Sequence, residues 1–376
     1  MIPLARPDVS EKEIEAVVKV LRTPYLSLGP KLVEFEEKLA EYVGVNYAVA
    51  VNSGTSALHL IIKSLEIGEG DEVITTPFSF IASANCILYE RATPVFVDID
   101  PYTWNLNTEL IEEKITEKTK AILAVDIFGH PADWDRLQRI AEKYDLKLIE
   151  DAAEALGAEY KGKRAGSFGK AAAFAFYPNK QITTGEGGAV LTNDKTIALL
   201  CKSLRNQGRG EKGKWLEHER LGYNYRISDI NCALGIVQLE RLKELLEKRE
   251  NVAKLYNFYL KDVEEVILPH ISKGVKKSWF VYVIRLSDKF TQQQRDEILQ
   301  ELGRLGIECS NYFAPIHLQP IYRRKFGYQE GDFPITETIA ARTIALPFHG
   351  HLSEKNIVYI CNSLKKLIMR YKNEKI

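Results

Sequence analysis

The chain has 376 residues, with 51 Lys and Arg against 51 Asp and Glu, and 45% of it is hydrophobic. Such proportions belong to a globular chain with its own core, about two domains at roughly 100–200 residues each, and they exclude disorder as the default. A formal net charge of zero removes the electrostatic case for a general binder of nucleic acid or anionic membrane.

In chain order, Ser10 followed by Glu13 reads as a capping box, and Ile14, Val17, Val18 and Leu21 give the apolar stripe of a first helix. A second helix is expected over Val33–Val43. Tyr47–Val51 is an apolar strand, and Asn52-Ser53-Gly54-Thr55-Ser56 leads into a helix marked by Leu58, Ile61, Ile62 and Leu65, stopped at Gly68. Further strands are expected at Glu72–Thr76, Pro94–Val97, Ala121–Val125, Lys147–Glu150, Ala171–Phe176 and Ala189–Thr192. Helices are expected between several of them, at Phe80–Tyr89, Thr108–Ile115 and Trp134–Tyr144. This alternation predicts an α/β fold with an open sheet covered on both faces.

The glycine-rich, charged stretch Gln207–Glu219 reads as a mobile surface loop. Ser228 to about Leu260 reads as one long helix, and the domain boundary is placed along it, giving residues 1–250 and 251–376. The second part holds a strand-like Trp279–Leu286, a helical Gln292–Leu305 and a final amphipathic helix after Ser353, a smaller α+β domain.

No apolar run approaches the roughly 18 residues of a spanning helix. The first ten residues carry Arg6 and Asp8 and lack the apolar centre of a signal peptide. The five cysteines (Cys86, Cys201, Cys232, Cys309, Cys361) are scattered and form no CxxC pair, which argues against a disulfide framework or a zinc site and for the cytoplasm. His349 and His351 are spaced as neighbours on a strand face rather than as a helical metal pair.

Three positions carry chemistry. Ser53–Ser56 opens a helix, where free N–H groups, the helix dipole and hydroxyls suit a phosphate, although Ser or Thr at a helix start is more often just a cap. Asp151 follows an apolar strand, at the edge where open α/β sheets bind ligands; a helix N-cap is its bland alternative. Lys180 lies in Phe176-Tyr177-Pro178-Asn179-Lys180-Gln181-Ile182-Thr183-Thr184-Gly185-Glu186-Gly187-Gly188. A loop between two buried strands supplies the fixed place and lowered pKa that a Schiff-base lysine needs.

With Pro77-Phe78-Ser79-Phe80, Phe128-Gly129-His130-Pro131-Ala132-Asp133, Glu150-Asp151-Ala152-Ala153-Glu154-Ala155 and Gly222-Tyr223-Asn224-Tyr225-Arg226, these segments cover most of the chain. In this order they resemble the DegT/DnrJ/EryC1/StrS group of pyridoxal-phosphate (PLP) sugar aminotransferases. The resemblance implies a fold-type I enzyme, its large domain built on a mostly parallel sheet, that works as a homodimer with the active site shared between subunits. It implies a Schiff base from PLP to Lys180, Asp151 at the pyridine nitrogen, Gly54, Thr55 and Ser56 at the phosphate, Phe80 on the ring face, and Asn224 reaching the partner's phosphate. Glu154 departs from the Gln or His that the family often has near the ring hydroxyl. Ala175 departs from a phosphate-binding serine.

The implied reaction moves nitrogen from an amino acid, L-glutamate being the expected donor, to a nucleotide-linked keto-hexose, commonly 4-keto-6-deoxy and sometimes 3-keto, in amino-sugar and polysaccharide biosynthesis. Lys180 is the expected base. Arg6, Lys31, Arg205 and Arg226 are candidate diphosphate donors, and Tyr312, His317 and Tyr322 a candidate substrate wall; surface charge and interface packing are their ordinary alternatives. Trp104, Trp134, Trp215 and Trp279 are assigned no role. Lys180 argues against the family's dehydratases, which have histidine there. A cysteine desulfurase would need a reactive thiol, with Cys201 the nearest candidate; an amino-acid transaminase and a PLP-binding regulator are the remaining alternatives. No GxGxxG follows the first strand, which disfavours a Rossmann-type nucleotide binder.

Overall fold

Helical crossovers return the chain repeatedly to one edge of a central sheet, so most of its strands share a direction. In the computed structural model, which describes residues 1–210 and 217–373, this sheet has seven strands: β1 (Tyr47–Val51), β2 (Glu72–Thr75), β3 (Thr93–Phe96), β4 (Thr119–Val125), β5 (Lys147–Asp151), β6 (Ala171–Ala175) and β7 (Gly188–Thr192). Their spatial order is β1-β7-β6-β5-β4-β2-β3, and β7 alone runs against the rest. The expected mostly parallel α/β sheet is present. The carboxyl ends of β1, β5 and β6 therefore lie on one edge, with the start of β7 beside them.

Helices cover both faces. Leu58, Ile61 and Ile62 of α3 (Gly54–Ser64) and Cys86 and Ile87 of α4 (Ala82–Tyr89) join one core with Val49, Val73 and Leu123 of the sheet. On the other face, Phe35 and Leu39 of α2 (Pro30–Val43) pack with Ala48, Phe174 and Leu191, and α5 (Trp134–Tyr144) covers β4. Helix α6 (Lys195–Arg205) follows β7. Helix α1 (Glu11–Leu21) has its capping box, but Ile14, Val18 and Leu21 face outward while Glu13 is fully buried. The reason is Arg241, whose guanidinium takes Glu13 and Asp8 as ion-pair partners and pulls the acidic side inward.

Other expectations need correction. Thr108–Ile115 forms only a single 3₁₀ turn at Glu112–Lys114, because the Asn107 side chain and carbonyl turn the chain at Glu109 and Leu110. The long helix is two, α7 (Asp229–Glu240) and α8 (Leu242–Leu260), broken at Arg241, which the ion pairs just described hold in place. The strand over Trp279–Leu286 begins only at Tyr282, and His349 and His351 lie in a turn rather than a strand. The ends of the glycine-rich loop pair as Arg209 with His218; its centre, 211–216, with Trp215, lies outside the described residues.

The smaller domain pairs β8 (Val266–Ile267), β9 (Tyr282–Leu286) and β10 (Thr343–Leu346), with helices α9 (Gln292–Arg304), α10 (Pro320–Phe326), α11 (Pro334–Ala340) and α12 (Glu354–Asn373) around them. Leu242 and Leu245 of α8 belong to the large core, whereas Val252, Tyr256 and Leu260 belong to the small one. This packing supports proposing the boundary near residue 250. The first residues depart from it: Ile2 pairs with Ile307, and the Phe348 N–H donates to the Leu4 carbonyl, so this segment lies on the small domain.

Candidate active site

The site grows from the sheet edge. Helix α3 starts directly after β1, with the Ser53 hydroxyl capping the Ser56 N–H at 3.1 Å. Among the described residues, the amides of Gly54 and Thr55 and the Thr55 hydroxyl meet no group of the chain. A helix start that leaves these donors open is an anion site in waiting. A Cβ on Gly54 would come within 2.6 Å of the Ala175 Cβ, so β6 passes too close for any larger residue. Ser56 is corrected: its hydroxyl is buried and bound to Asn52 Oδ1 at 2.7 Å, so it closes the turn and leaves the open donors to Gly54 and Thr55.

At the end of β5, Asp151 Oδ2 accepts from the Ser83 hydroxyl at 2.7 Å and Oδ1 from the Ala153 N–H at 3.2 Å. Ser83 also meets the Ser79 hydroxyl at 2.9 Å. Burial raises the Asp151 pKa, and the bonds from Ser83 and Ala153 and the charge of Lys180 oppose that rise. Behind it, buried Asp126 and Glu150 face each other. Burial pushes Asp126 up to about 7 and Glu150 also upward, so the pair keeps a proton.

Lys180 follows β6 in a loop whose Thr183 hydroxyl and Thr184 N–H bind back to the Phe176 carbonyl. Its amine lies 3.9 Å from the ring centre of Phe280 and 3.7 Å from Glu154 Oε1. Burial lowers the Lys180 pKa; Glu154 and Asp151 pull it back up. The other Glu154 oxygen accepts from the Phe128 N–H at 2.8 Å. Phe128 has φ of 52°, and a Cβ on the next residue, Gly129, would meet the Ser278 carbonyl oxygen at 1.6 Å. This tight turn aims the Phe128 amide at the carboxylate. The arrangement is a buried amine with a lowered pKa beside two buried acids, next to an open anion site, which suits a group that is both a phosphate and an aldehyde on a basic ring.

Several expected residues join this centre and others do not. Phe80 is exposed at the entry to α4, next to Ser79. Tyr312 stacks on Phe313 and Phe128, and burial raises its hydroxyl pKa. Arg6 lines a water-sized cavity with Lys180 and Gln181. Asn224 is exposed, held between Tyr223 and Tyr225. These two tyrosines are anchored on α3 and α4: the Tyr225 hydroxyl lies 3.0 Å from His59 Nδ1 and the Tyr223 hydroxyl 3.0 Å from Glu90, which also takes His59 and Lys63.

As corrections, His317 is fully buried against Phe333, with Nε2 on Glu337, and Tyr322 is fully buried with its hydroxyl on Asn85, so neither offers a wall to a ligand. Arg205 is buried in an ion pair with Glu36 and binds the Ala50 carbonyl; it holds the fold rather than a diphosphate. Lys31 pairs with Glu34 at the surface, and Arg226 binds Asn206. Trp104, Trp134 and Trp279 are buried. Cys201 is buried and its thiol is pushed up to about 12, the opposite of a desulfurase nucleophile. Three residues escaped the sequence reading: Ser83, Phe280 and Arg249. Ser79 and Ser83, four apart where the chain enters α4, were a detectable signal; Phe280 and Arg249 had none.

The match to the sequence profile of the DegT/DnrJ/EryC1/StrS aminotransferase family runs over residues 7–365. The chain belongs to that family. It is a PLP-dependent sugar aminotransferase of fold type I. The GDP-perosamine synthase of Escherichia coli O157:H7 is 40% identical over 97% of this chain and 98% of its own. The UDP-4-amino-4,6-dideoxy-N-acetyl-beta-L-altrosamine transaminase of Campylobacter jejuni is 35% identical over 99% of both. The Spr1654 protein of Streptococcus pneumoniae, solved in a PLP form, superposes with a TM-score of 0.94 at 31% identity, covering 98% of this chain and 99% of that one.

Proposed function

We propose that this aminotransferase carries nitrogen from L-glutamate to a nucleotide-linked 4-keto-6-deoxyhexose in amino-sugar biosynthesis, with PLP attached covalently to Lys180. The observation behind the attachment is the Lys180 amine, 3.7 Å from Glu154 and 3.9 Å from the Phe280 ring centre, on the sheet edge where α3 opens its first amides. The keto position draws on the 4-amino-4,6-dideoxy product in the name of the Campylobacter relative.

The bound cofactor supplies an electron-withdrawing ring beside which a C–H bond can break. Gly54 and Thr55 donate backbone N–H groups to its phosphate. Asp151, oriented by Ser83 and Ala153, holds a proton on the ring nitrogen by charge. Lys180 Nζ, its pKa lowered by burial, is the base that takes and returns the substrate proton. Phe80 covers the open face, and Arg6 serves the sugar nucleotide.

The exposed apolar strip Ile14, Val18, Leu21, Tyr25, Leu26 and Leu28 supports a homodimer, and the exposed Asn224 is free to reach a second copy's site. No helix among the described residues is long and apolar enough to cross a membrane, and the five free thiols favour the cytoplasm as the compartment.

The test is a panel of nucleotide-linked 4-keto and 3-keto sugars given to PLP-loaded protein with glutamate, read by mass spectrometry. A mass gain matching replacement of C=O by CH–NH₂ on the 4-keto members is expected. Turnover of 3-keto members alone would move the keto position, and turnover of none would refute the substrate class.

A further inference from the structure

Arg249 sits on α8, between the part of the helix packed in the large core and the part packed in the small one. It is 6% exposed and makes no ion pair among the described residues. Its guanidinium donates instead to four backbone carbonyls in two distant segments: Lys180 at 2.8 Å and Asn179 at 3.5 Å, and Phe280 at 3.1 Å and Trp279 at 3.5 Å. A buried cation without a carboxylate opposes folding unless its donors are used, and a planar fork reaches two strands of chain as no lysine does. Here the fork joins the backbone of the catalytic lysine to the backbone of the aromatic ring on which its amine rests.

We infer that Arg249 is the positioning residue of Lys180, fixing its amine against Phe280 and at its distance from Glu154. The inference rests on the proposed attachment of PLP to Lys180. Residue 249 touches no reacting atom; it acts through the carbonyls of 180 and 280. Its charge is also a cation acting on the amine, beside Arg6 and Lys248 of the same small cavity. The groups around that amine are Glu154 and Asp151 from the sheet edge, Phe280 from the small domain, Arg249 and Lys248 from α8, and Arg6 and Asp8 from the first residues. Behind Arg249 stand the Phe348 ring at 5.7 Å and the His349 imidazole, whose pKa is lowered to about 4 chiefly by burial.

The experiment compares wild type, Arg249→Lys and Arg249→Met after loading with PLP. Two quantities are read: the fraction of the Lys180 peptide carrying cofactor after borohydride reduction, and the pH midpoint of the visible band. Arg249→Met is expected to cut the trapped fraction at least fivefold and to raise the midpoint by about one unit, because a cation near the protonated linkage is gone. Arg249→Lys keeps the charge and loses the fork; its midpoint stays within a few tenths of a unit while its trapped fraction falls. A Met variant that melts earlier but matches wild type in both readouts would reduce Arg249 to a structural staple. Should the Met variant fail to fold, a wild-type trapped fraction in Arg249→Lys overturns the inference equally. A wild-type protein with no visible band refutes the Lys180 attachment itself, and both readings fall together.

Discussion

Replacing Glu154 by Gln isolates one charge at the lysine. The Gln carbonyl oxygen can still accept from the Phe128 N–H, so the turn is preserved while the carboxylate 3.7 Å from Lys180 Nζ disappears. Two unit charges at that separation attract by about 4 kcal/mol at an effective dielectric of 20, equivalent to about 3 pKa units. Burial raises the Glu154 pKa, so this full-charge figure is an upper bound on the displacement. The direction follows from the causes acting on Lys180: burial lowers its pKa, Glu154 and Asp151 raise it, and removal of Glu154 lets it fall further. Only a neutral amine condenses with an aldehyde. The growth rate of the visible band, on adding PLP to cofactor-free protein across a pH series, therefore reports this pKa. The midpoint should move down in Glu154→Gln, by at most about 3 units, with the rate below the midpoint rising about tenfold per unit. An unchanged midpoint would mean that the amine feels no charge at Glu154, and an upward one that the sign of the interaction is wrong; either refutes the electrostatic account.

Lys180→Ala should retain measurable PLP binding through the open α3 amides and lose transamination, checked by ultrafiltration and product assay; near-normal turnover would remove Lys180 from the chemistry. Arg205→Met leaves Glu36 buried without its main partner and should cost about 3–5 kcal/mol in urea unfolding, with no change in KM for the sugar nucleotide. Asp126 has a folded pKa pushed up to about 7 by burial, above the unfolded value of 3.8. Its contribution to stability is thus full below about pH 4 and lost as pH rises through 7, on the order of 4 kcal/mol at most. The urea midpoint of wild type relative to Asp126→Asn should fall between about pH 4 and 7 and level off above that, and a pH-independent difference would contradict that sign.

What the sequence revealed of the fold was what local periodicity encodes. The apolar runs of β1, β4, β5 and β6 and the α3 and α5 stripes were legible because each buries its own pattern on the sheet. The same logic misread α1. Its apolar stripe faces outward, because the burial of Glu13 depends on Arg241, more than two hundred residues away. The break between α7 and α8 was hidden for the same reason: the sequence there is uniformly helical in character, and the ion pairs that hold Arg241 come from a different part of the chain.

The site divides along the same line. Asp151 ends one strand of the sheet, and Gly54 and Lys180 follow the ends of two others within a few residues, so the topology brings them to one edge, and strand-end position marks them. Arg249 reaches that edge from the domain boundary on α8 and Phe280 from the other domain, and Arg205 is drawn away from it by Glu36. A buried charge gives no sign in its neighbours of which distant group will satisfy it. Asp229 shows the rule in its plainest form: α2 begins at a glycine without a cap of its own, and the carboxylate that accepts from the Gly29 and Lys31 amides, at 2.7 and 2.8 Å, comes from α7. Substituting a residue of this kind is felt where its partner sits, which is why changes at 249 should be read at 180.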